Sequence, residues 1–218
     1  MARLFPSLLG ANPLKLEQLI HELDAHCAGF HIDVMDGHCV PNLAFGIATV
    51  NAIDSASKHP SWVHLMVRNP QQYIKELKLK ARSIVSIQVE CATDPALVAM
   101  QIKARGWIAG IALNPATPLS VISPHLTEFD HVLIMGVNPG HAGQPFIEST
   151  FEKLVQLSDY KKSHQGAFTI GIDGGITAQN IHACIQHGAQ DIALASALFQ
   201  SDNPVKALKA LYASLEQP

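Results

Sequence analysis

The chain has 218 residues, is 48% hydrophobic and carries a formal net charge of −3. This length and composition suit one large α/β domain with a sizeable core, although two small domains are also possible. The slight negative charge excludes the strongly basic surface that nucleic-acid or anionic-membrane binding requires, so we expect neither partner.

Short apolar segments alternate with longer amphipathic segments along the whole chain. Eight strands are predicted, with starts near residues 3, 30, 62, 84, 107, 131, 168 and 191. Helical patterns lie between them, as at 12–26 and 69–80, and another at 203–217 follows the last strand. Eight strand–helix units in this length predict a (β/α)8 TIM barrel that occupies residues 1–218 as a single domain.

The second predicted strand carries charged residues inside an apolar segment. Both faces of a barrel strand are buried, and its side chains alternate between the two faces. His31, Asp33 and Met35 therefore share one face, and His64 and Met66 share a face of the next strand. A buried charge is costly, so the histidines and the aspartate of these strands must find partners, bind a metal or take part in chemistry.

Polar residues gather at the carboxyl ends of the predicted strands, where barrels of this type carry their active sites. His31, Asp33, His64 and Asp173, which ends the seventh strand, can converge on one point there. Two imidazoles and two carboxylates suit one divalent transition-metal ion, with Zn, Mn, Fe or Co as candidates. The alternative is that each residue is an ordinary hydrogen-bonded member of the core.

Two carboxylates on opposite sides of a metal-activated carbonyl group suit proton transfer. One aspartate would remove a proton and the other would return it from the opposite face, which inverts a stereocentre. A single carboxylate on one face would favour isomerisation or retention instead.

Glycine-containing loops at 137–146 and 173–176, and the segment 195–199, follow the last three strands. Each alone is consistent with a structural turn. Together they offer backbone N–H groups to a phosphate, so a sugar phosphate held by backbone dipoles is the predicted substrate.

Several enzyme classes lack their usual motifs in this chain. No predicted strand ends in the lysine of a Schiff-base aldolase. No serine lies in a G-x-S-x-G turn, and no G-x-G-x-x-G follows the first strand.

The four cysteines, Cys27, Cys39, Cys91 and Cys184, show no C-x-x-C spacing. We interpret them as buried reduced thiols of a cytoplasmic protein. The first residues are not apolar over the length of a signal peptide, and no segment approaches the ~20 apolar residues of a membrane-spanning helix.

Seven sequence blocks resemble the ribulose-phosphate 3-epimerase family, in the same order, between residues 6 and 199. They are PSLLGAN, HIDVMDGHCVPN, VHLMV, ALNPATP, VLIMGVNPGHAGQPF, IDGGI and ASALF. The resemblance implies a barrel of the ribulose-phosphate-binding type and, as activity, the interconversion of D-ribulose 5-phosphate and D-xylulose 5-phosphate through an enediolate. This reaction belongs to the pentose phosphate pathway.

The resemblance also implies the roles of individual residues. His31, Asp33, His64 and Asp173 would bind the metal ion, and Asp33 and Asp173 would form the acid–base pair. Ser7 would contact the substrate near the reacting carbons, an apolar cap would cover the intermediate, and backbone loops would bind the phosphate. The cap would consist of Met35, Met66 and Met135, and the phosphate would contact Gly143, Gly174, Gly175 and Ser196.

Five residues depart from the pattern of this family. His141 and Ala142 replace Phe and Gly, Ala195 replaces Gly, Gln88 replaces a frequent His, and Gly136 replaces Thr. The added methyl groups of the two alanines are expected to hinder a close approach of the phosphate.

Three alternatives to the assigned reaction remain. D-allulose 6-phosphate is the rival substrate, and a non-catalytic sugar-phosphate binder is the rival class. A related barrel decarboxylase would need an Asp-x-Lys-x-x-Asp array, but HIDVMDG contains no lysine. In each case we expect a homo-oligomer.

Overall fold

Eight parallel strands form a barrel in the computed structural model, which describes residues 2–215. The predicted TIM barrel and all eight predicted strands are confirmed, and one short strand is added. The strands are β1 (Arg3–Pro6), β2 (His31–Asp36), β3 (Leu43–Ala44), β4 (Trp62–Met66), β5 (Ile84–Gln88), β6 (Ile108–Leu113), β7 (His131–Met135), β8 (Thr169–Asp173) and β9 (Asp191–Leu194).

Neighbouring strands are paired in the order β1, β9, β8, β7, β6, β5, β4 and β2. A parallel bridge between Ser7 and His31 joins the residue after β1 to the start of β2 and closes the ring. All carboxyl ends of the parallel strands therefore meet at one end of the barrel, where loops from distant parts of the chain come together.

The added strand β3 was not predicted because two residues are too short to show any alternation. It pairs antiparallel with the end of β2, where Leu43 lies opposite Asp36. The carboxylate of Asp36 accepts hydrogen bonds from the backbone N–H groups of His38, Cys39 and Arg68. These bonds outweigh the effect of burial and lower the pKa of Asp36. Asp36 thus stabilises the turn after β2.

Helices surround the barrel on its outer side. The predicted helix at 12–26 consists of α1 flanked by 3-10 helices at Pro13–Lys15 and Asp24–His26, and the one at 69–80 ends at residue 76. The final helix is confirmed to Leu215, and its predicted residues 216 and 217 lie outside the described residues. The helices are α1 (Leu16–Leu23), α2 (Ile47–Ala56), α3 (Pro70–Glu76), α4 (Pro95–Ala104), α5 (Thr150–Ser163), α6 (Ile181–Gln186), α7 (Ser196–Phe199) and α8 (Pro204–Leu215).

The connection between β6 and β7 differs from the predicted strand–helix pattern. Residues 114–130, all of which the structure describes, form 3-10 helices at Leu119–Val121 and Ser123–His125 in place of an α-helix. This segment contains Pro115, Pro118 and Pro124. Proline lacks a backbone N–H and disfavours helical geometry in the residue before it, so a continuous helix cannot form here. The prediction of eight helical connections was wrong at this point.

Apolar packing separates the two faces of each barrel strand as predicted. On β2, Ile32 and Val34 are fully buried against the helices, and His31 and Asp33 face the barrel interior. The interior contains Trp62, the first residue of β4, whose ring contacts the ring of His31 edge-on at a centroid distance of 4.4 Å. His31 and Asp33 therefore lie in a buried, tightly packed environment.

An ion pair between the half-exposed Arg3 and the fully buried Asp191 joins β1 and β9. Arg3 donates two hydrogen bonds of 2.6 Å to the two carboxylate oxygens of Asp191, and His131 Nε2 lies 3.3 Å from the same carboxylate. Burial alone would raise the pKa of Asp191, but His131 and Arg3 outweigh it and lower this pKa. The ionised carboxylate thus stabilises the fold above the pKa of about 3.9 in the unfolded chain, and this contribution is lost as the pH falls through the folded value.

Replacing Asp191 with asparagine is expected to lower the free energy of unfolding by about 2 kcal/mol at pH 7, because it weakens the charge-assisted hydrogen bonds of a buried carboxylate to the half-exposed Arg3. Urea unfolding followed by circular dichroism measures the difference. The matched control is Asp159→Asn, since Asp159 forms an exposed pair with Lys162 and its loss is expected to cost less than ~1 kcal/mol. Equal losses of unfolding free energy in the two variants would contradict a stabilising role for the pair of Arg3 and Asp191.

The four cysteines fall into two pairs that differ in chemistry. Cys39 and Cys91 form a disulfide with a Cα–Cα distance of 5.8 Å, so the prediction of reduced buried thiols was wrong for these two. Cys39 lies after β2 and Cys91 after β5, and the loops of both strands approach each other across the end of β4. Cys27 and Cys184 are free and buried, and burial raises the pKa of each thiol to about 12.

None of the helices in the described part of the chain has the length and apolar character needed to cross a lipid bilayer.

Candidate active site

Four side chains of metal-binding type meet inside the carboxyl end of the barrel. His31 and Asp33 belong to β2, His64 belongs to β4, and Asp173 ends β8. One ligand atom from each residue lies within 4.8 Å of those from the other three. Asp33 is paired with His64 in the parallel register of β2 and β4, so both side chains project to the same side.

Three short separations define this cluster. His31 Nε2 lies 3.3 Å from Asp33 Oδ1 and 3.6 Å from Asp173 Oδ2, and His64 Nδ1 lies 3.5 Å from Asp33 Oδ1. His31, Asp33 and His64 are almost completely buried, and Asp173 retains 9% of its exposure. Electrostatic interactions among the four groups are therefore weakly screened by water.

The two aspartates of the cluster have opposite pKa shifts. Burial opposes the ionisation of Asp33, but His31 and His64 outweigh burial and lower the pKa of this carboxyl group. Burial and the charge of Asp33 raise the pKa of Asp173 to about 6. Burial would lower the pKa of His31, but the charges of Asp33 and Asp173 outweigh it and raise this pKa. Carboxyl groups whose pKa values are driven apart are typical of acid–base pairs.

The donor set of the cluster fits a divalent transition-metal ion, which prefers imidazole and carboxylate ligands. His64 Nδ1 is buried beside Asp33 and has no hydrogen-bond partner in the described part of the chain. A cation beside His64 Nδ1 would give this nitrogen a partner for its lone pair and would balance the charge of the buried carboxylates. His31, Asp33, His64 and Asp173 can therefore hold one metal ion.

A cleft leads from the cluster to the surface at the carboxyl end of the barrel. Asp33 and Asp173 line this cleft, whereas His31 and His64 do not and are fully buried. A small molecule in the cleft can thus reach both carboxylates, and the two imidazoles lie next to them inside the barrel.

Ser7 and three methionines line the same cleft. Ser7 Oγ donates a 3.2 Å hydrogen bond to Asp33 Oδ2, which orients the carboxylate. Met35 and Met66 are neighbours in the register of β2 and β4, and Met135 ends β7. The sequence placed all four residues at this site, and the structure brings them together there.

The three predicted phosphate glycines also line the cleft, and their backbones require glycine. Gly143, Gly174 and Gly175 have φ angles of 81°, 103° and 68°, a region that other residues rarely adopt. A Cβ atom at Gly174 would lie 2.5 Å from a methyl carbon of Val137, and one at Gly175 would lie 2.6 Å from the backbone nitrogen of Phe146. These close approaches fix the path of the loop after β8.

Ser196, the first residue of α7, completes the predicted set: it lines the same cleft and follows β9, the neighbour of β8. The loop after β7 is organised by side chains that the sequence analysis did not assign. Asn42 donates a 2.6 Å hydrogen bond to the carbonyl of Gly140, and Gln144 donates to the carbonyls of Asn138 and His141. Asn42 and Gln144 lie in the blocks HIDVMDGHCVPN and VNPGHAGQPF, and this position was the one signal in the sequence that could have identified them. The cleft is also lined by Leu9, Val137, Pro139, Gly140, Gln144, Ile176 and Ala193.

The backbone geometry at Ala142, Ala195 and Gly136 suits the residues that stand there. Ala142 and Ala195 line the cleft, and neither has a positive φ angle. A Cβ atom at Gly136 would overlap the carbonyl oxygen of Gly174, so this glycine permits the close contact between two loops. The expected hindrance of phosphate by the two alanine methyl groups stays a prediction.

Solved structures with the same architecture include several barrels. KGPDC from Streptococcus mutans matches with a TM-score of 0.71 at 10% identity, covering 99% of this chain and 97% of that chain. Phosphoribosyl anthranilate isomerase from Thermococcus kodakaraensis matches with a TM-score of 0.68 at 10% identity over the whole of both chains. At this level of identity the likeness shows the shared fold alone.

Sequence comparison gives a closer relationship. The model of the Ribulose-phosphate 3 epimerase family matches residues 3–199. The chloroplastic ribulose-5-phosphate-3-epimerase of Arabidopsis thaliana is 39% identical over 212 residues, which cover 96% of this chain and 75% of the relative. The ribulose-phosphate 3-epimerase of Bacillus subtilis is 34% identical over 220 residues, covering 98% of this chain and the whole relative. The chain therefore belongs to the ribulose-phosphate 3-epimerase family.

Proposed function

We propose that the protein is a metal-dependent epimerase that inverts C3 of a ketose phosphate, interconverting D-ribulose 5-phosphate and D-xylulose 5-phosphate. The observation that carries this proposal is the position of two carboxylates, Asp33 and Asp173, on one cleft and in one metal-binding cluster. They belong to β2 and β8, which are not neighbours in the barrel. Membership of the family supports the same reaction.

In this mechanism His31, Asp33, His64 and Asp173 hold one divalent ion, which we propose to be zinc, with Mn, Fe and Co as the other candidates. When bound, the ion would polarise the substrate carbonyl at C2 and so acidify the C–H bond at C3. Two imidazole and two carboxylate donors favour these metals over magnesium or calcium, which prefer oxygen ligands alone.

The proton steps are carried by the two aspartates. The carboxylate of Asp33 accepts the C3 proton from one face, which gives an enediolate, and protonated Asp173 returns a proton to C3 from the opposite face. The roles are reversed in the opposite direction of reaction. The opposite pKa shifts of the two carboxyl groups, raised for Asp173 and lowered for Asp33, match an acid paired with a base.

The remaining predicted residues position the substrate. Ser7 holds Asp33 by its hydrogen bond and is close enough to the carboxylate to contact the reacting end of the sugar. Met35, Met66 and Met135 cover the enediolate with apolar groups and keep water away from C3. The phosphate binds at the backbone of Gly143, Gly174, Gly175 and Ser196, which line the same cleft.

Product analysis by NMR tests the proposed reaction. The zinc-loaded protein is incubated in parallel with D-ribulose 5-phosphate and with D-allulose 6-phosphate. We expect signals of D-xylulose 5-phosphate in the first sample and a much slower change in the second. Faster turnover of the six-carbon sugar would make the protein an allulose-6-phosphate epimerase. Binding of both sugars without turnover would make it a sugar-phosphate binder and contradict the proposal.

We also propose that residues 1–218 form one domain and that the protein is a cytoplasmic homo-oligomer. Sedimentation at several protein concentrations tests this assembly. Alkylation of thiols in intact cells, followed by mass spectrometry of Cys39 and Cys91, tests the location, since disulfides are rare in a reducing cytosol.

A further inference from the structure

A chain of polar groups lies beside the metal-binding cluster, at the carboxyl ends of β5 and β6. Its central member is Gln88, the last residue of β5, which is 2% exposed. Gln88 Oε1 lies 2.8 Å from His64 Nε2. Gln88 Nε2 donates hydrogen bonds of 2.7 Å to Glu90 Oε2 and 2.8 Å to Asn114 Oδ1. The carboxamide of Gln88 therefore connects His64, a proposed metal ligand, to Glu90.

The partners of Gln88 allow only one orientation of its carboxamide. The carboxylate of Glu90 can only accept hydrogen bonds, so the amino group of Gln88 must face it. Glu90 is itself held in place, because it accepts hydrogen bonds from the backbone N–H of Asn114 at 2.8 Å and from the hydroxyl of Thr117. The carbonyl oxygen of Gln88 consequently faces His64.

This orientation determines the tautomer of His64. A carbonyl oxygen only accepts hydrogen bonds, so Nε2 of His64 must carry the proton. In the neutral ring Nδ1 then keeps its lone pair. Nδ1 is the atom that lies 3.5 Å from Asp33 Oδ1 and has no hydrogen-bond partner among the described residues. The lone pair is thus available on the side where the other three ligand atoms lie.

We propose that Gln88 is the positioning residue of the metal site: it holds His64 as the Nε2–H tautomer and fixes its ring so that Nδ1 serves as the metal ligand. This inference rests on the metal site of the proposed function. Partners of this kind raise the affinity of a metal site, and their loss typically lowers it about 10- to 100-fold. Glu90 and Asn114 affect His64 only through Gln88, because they accept hydrogen bonds from its amino group.

The test compares three variants with the unmodified chain. Gln88→Leu removes the acceptor with a similar volume. Gln88→His introduces the residue that is frequent in the family and can accept the same bond, so it is the rescuing variant. Ser61→Ala is the matched control, because it removes another buried side-chain hydrogen bond, from Ser61 to Asp54 on the outer side of the barrel.

Two measurements are made on protein freed of metal by chelator dialysis. Competition with a chromogenic chelator gives the Zn²⁺ dissociation constant, and ¹⁵N NMR of labelled histidine gives the tautomer of His64. We expect Gln88→Leu to raise the dissociation constant about 10- to 100-fold, while Gln88→His and Ser61→Ala stay close to the unmodified chain. We expect the Nε2–H form of His64 in the unmodified chain and a mixture of tautomers in Gln88→Leu.

An unchanged Zn²⁺ affinity in Gln88→Leu, or an Nδ1–H tautomer in the unmodified chain, would overturn the inference. The two proposals fail in different ways. If the unmodified chain binds no stoichiometric zinc, the metal site of the proposed function is wrong. The tautomer of His64 in the unmodified chain still shows whether Gln88 holds its ring in the Nε2–H form. If Gln88→Leu does not fold, the NMR measurement on the unmodified chain and on Gln88→His remains decisive.

Discussion

Replacing Asp173 with asparagine is expected to lower kcat by about 10²- to 10⁴-fold, the usual contribution of a general acid or base. Asparagine keeps the shape of the side chain but can neither donate nor accept the proton at C3. Asp33→Asn is expected to cause a loss of the same order. Both residues are also proposed metal ligands, so the metal content of each variant must be measured before its rate is interpreted. Steady-state assays of the metal-loaded proteins give the comparison.

Exchange of hydrogen with solvent separates the roles of the two aspartates. Epimerisation in heavy water should place one deuterium at C3 of the product, because each carboxyl group exchanges its proton with solvent between turnovers. Each asparagine variant retains one base and is expected to exchange the C3 hydrogen of only one of the two epimers. Asp130→Asn, on the partly exposed end of the β6–β7 connection, serves as the control. A metal-loaded Asp173→Asn protein that epimerises at the native rate would contradict the two-base mechanism.

Removal of the metal is the second change with a large expected effect. We expect about one divalent ion per chain in the purified protein and loss of turnover after dialysis against a strong chelator. Addition of Zn, Mn, Fe or Co should restore activity, since these ions accept imidazole as well as carboxylate ligands. Elemental analysis and activity are measured on the same samples before and after dialysis.

A ligand variant makes this experiment specific for the cluster. His64→Gln is expected to weaken zinc binding by more than the roughly 10- to 100-fold typical of an outer partner. His21→Gln, at a histidine that is 64% exposed in its side chain, is expected to leave binding unchanged. Full activity of the chelator-treated protein, with no ion detected, would contradict a metal-dependent reaction.

Much of the fold could be predicted because a barrel strand has a simple local signature. Alternation along β2 and β4 correctly separated His31 and Asp33 from the side chains that face the helices. The missing helix between β6 and β7 was also within reach of the sequence, since three prolines lie in that segment. The prediction failed there because a helix was expected after every strand, although the prolines of this segment oppose a helix.

The candidate site could be predicted as a set of residues but not as a geometry. Strand ends meet at one end of a parallel barrel, which is sufficient to bring His31, His64 and Asp173 together. The distances, the opposite pKa shifts of the two aspartates and the bond between Gln88 and His64 depend on packing across strands. Gln88 appeared in the sequence only as a departure from the family pattern, because no local rule connects residues 24 positions apart.

The bond between Cys39 and Cys91 has a consequence for the denatured chain. It closes a covalent ring over a separation of 52 residues, which contains β3, β4, β5, α2 and α3. By the chain-entropy argument a ring of this size limits the denatured ensemble enough to stabilise the native barrel by about 4 kcal/mol. A reducing compartment would remove that contribution. The redox potential around the protein would then change how long folded molecules persist.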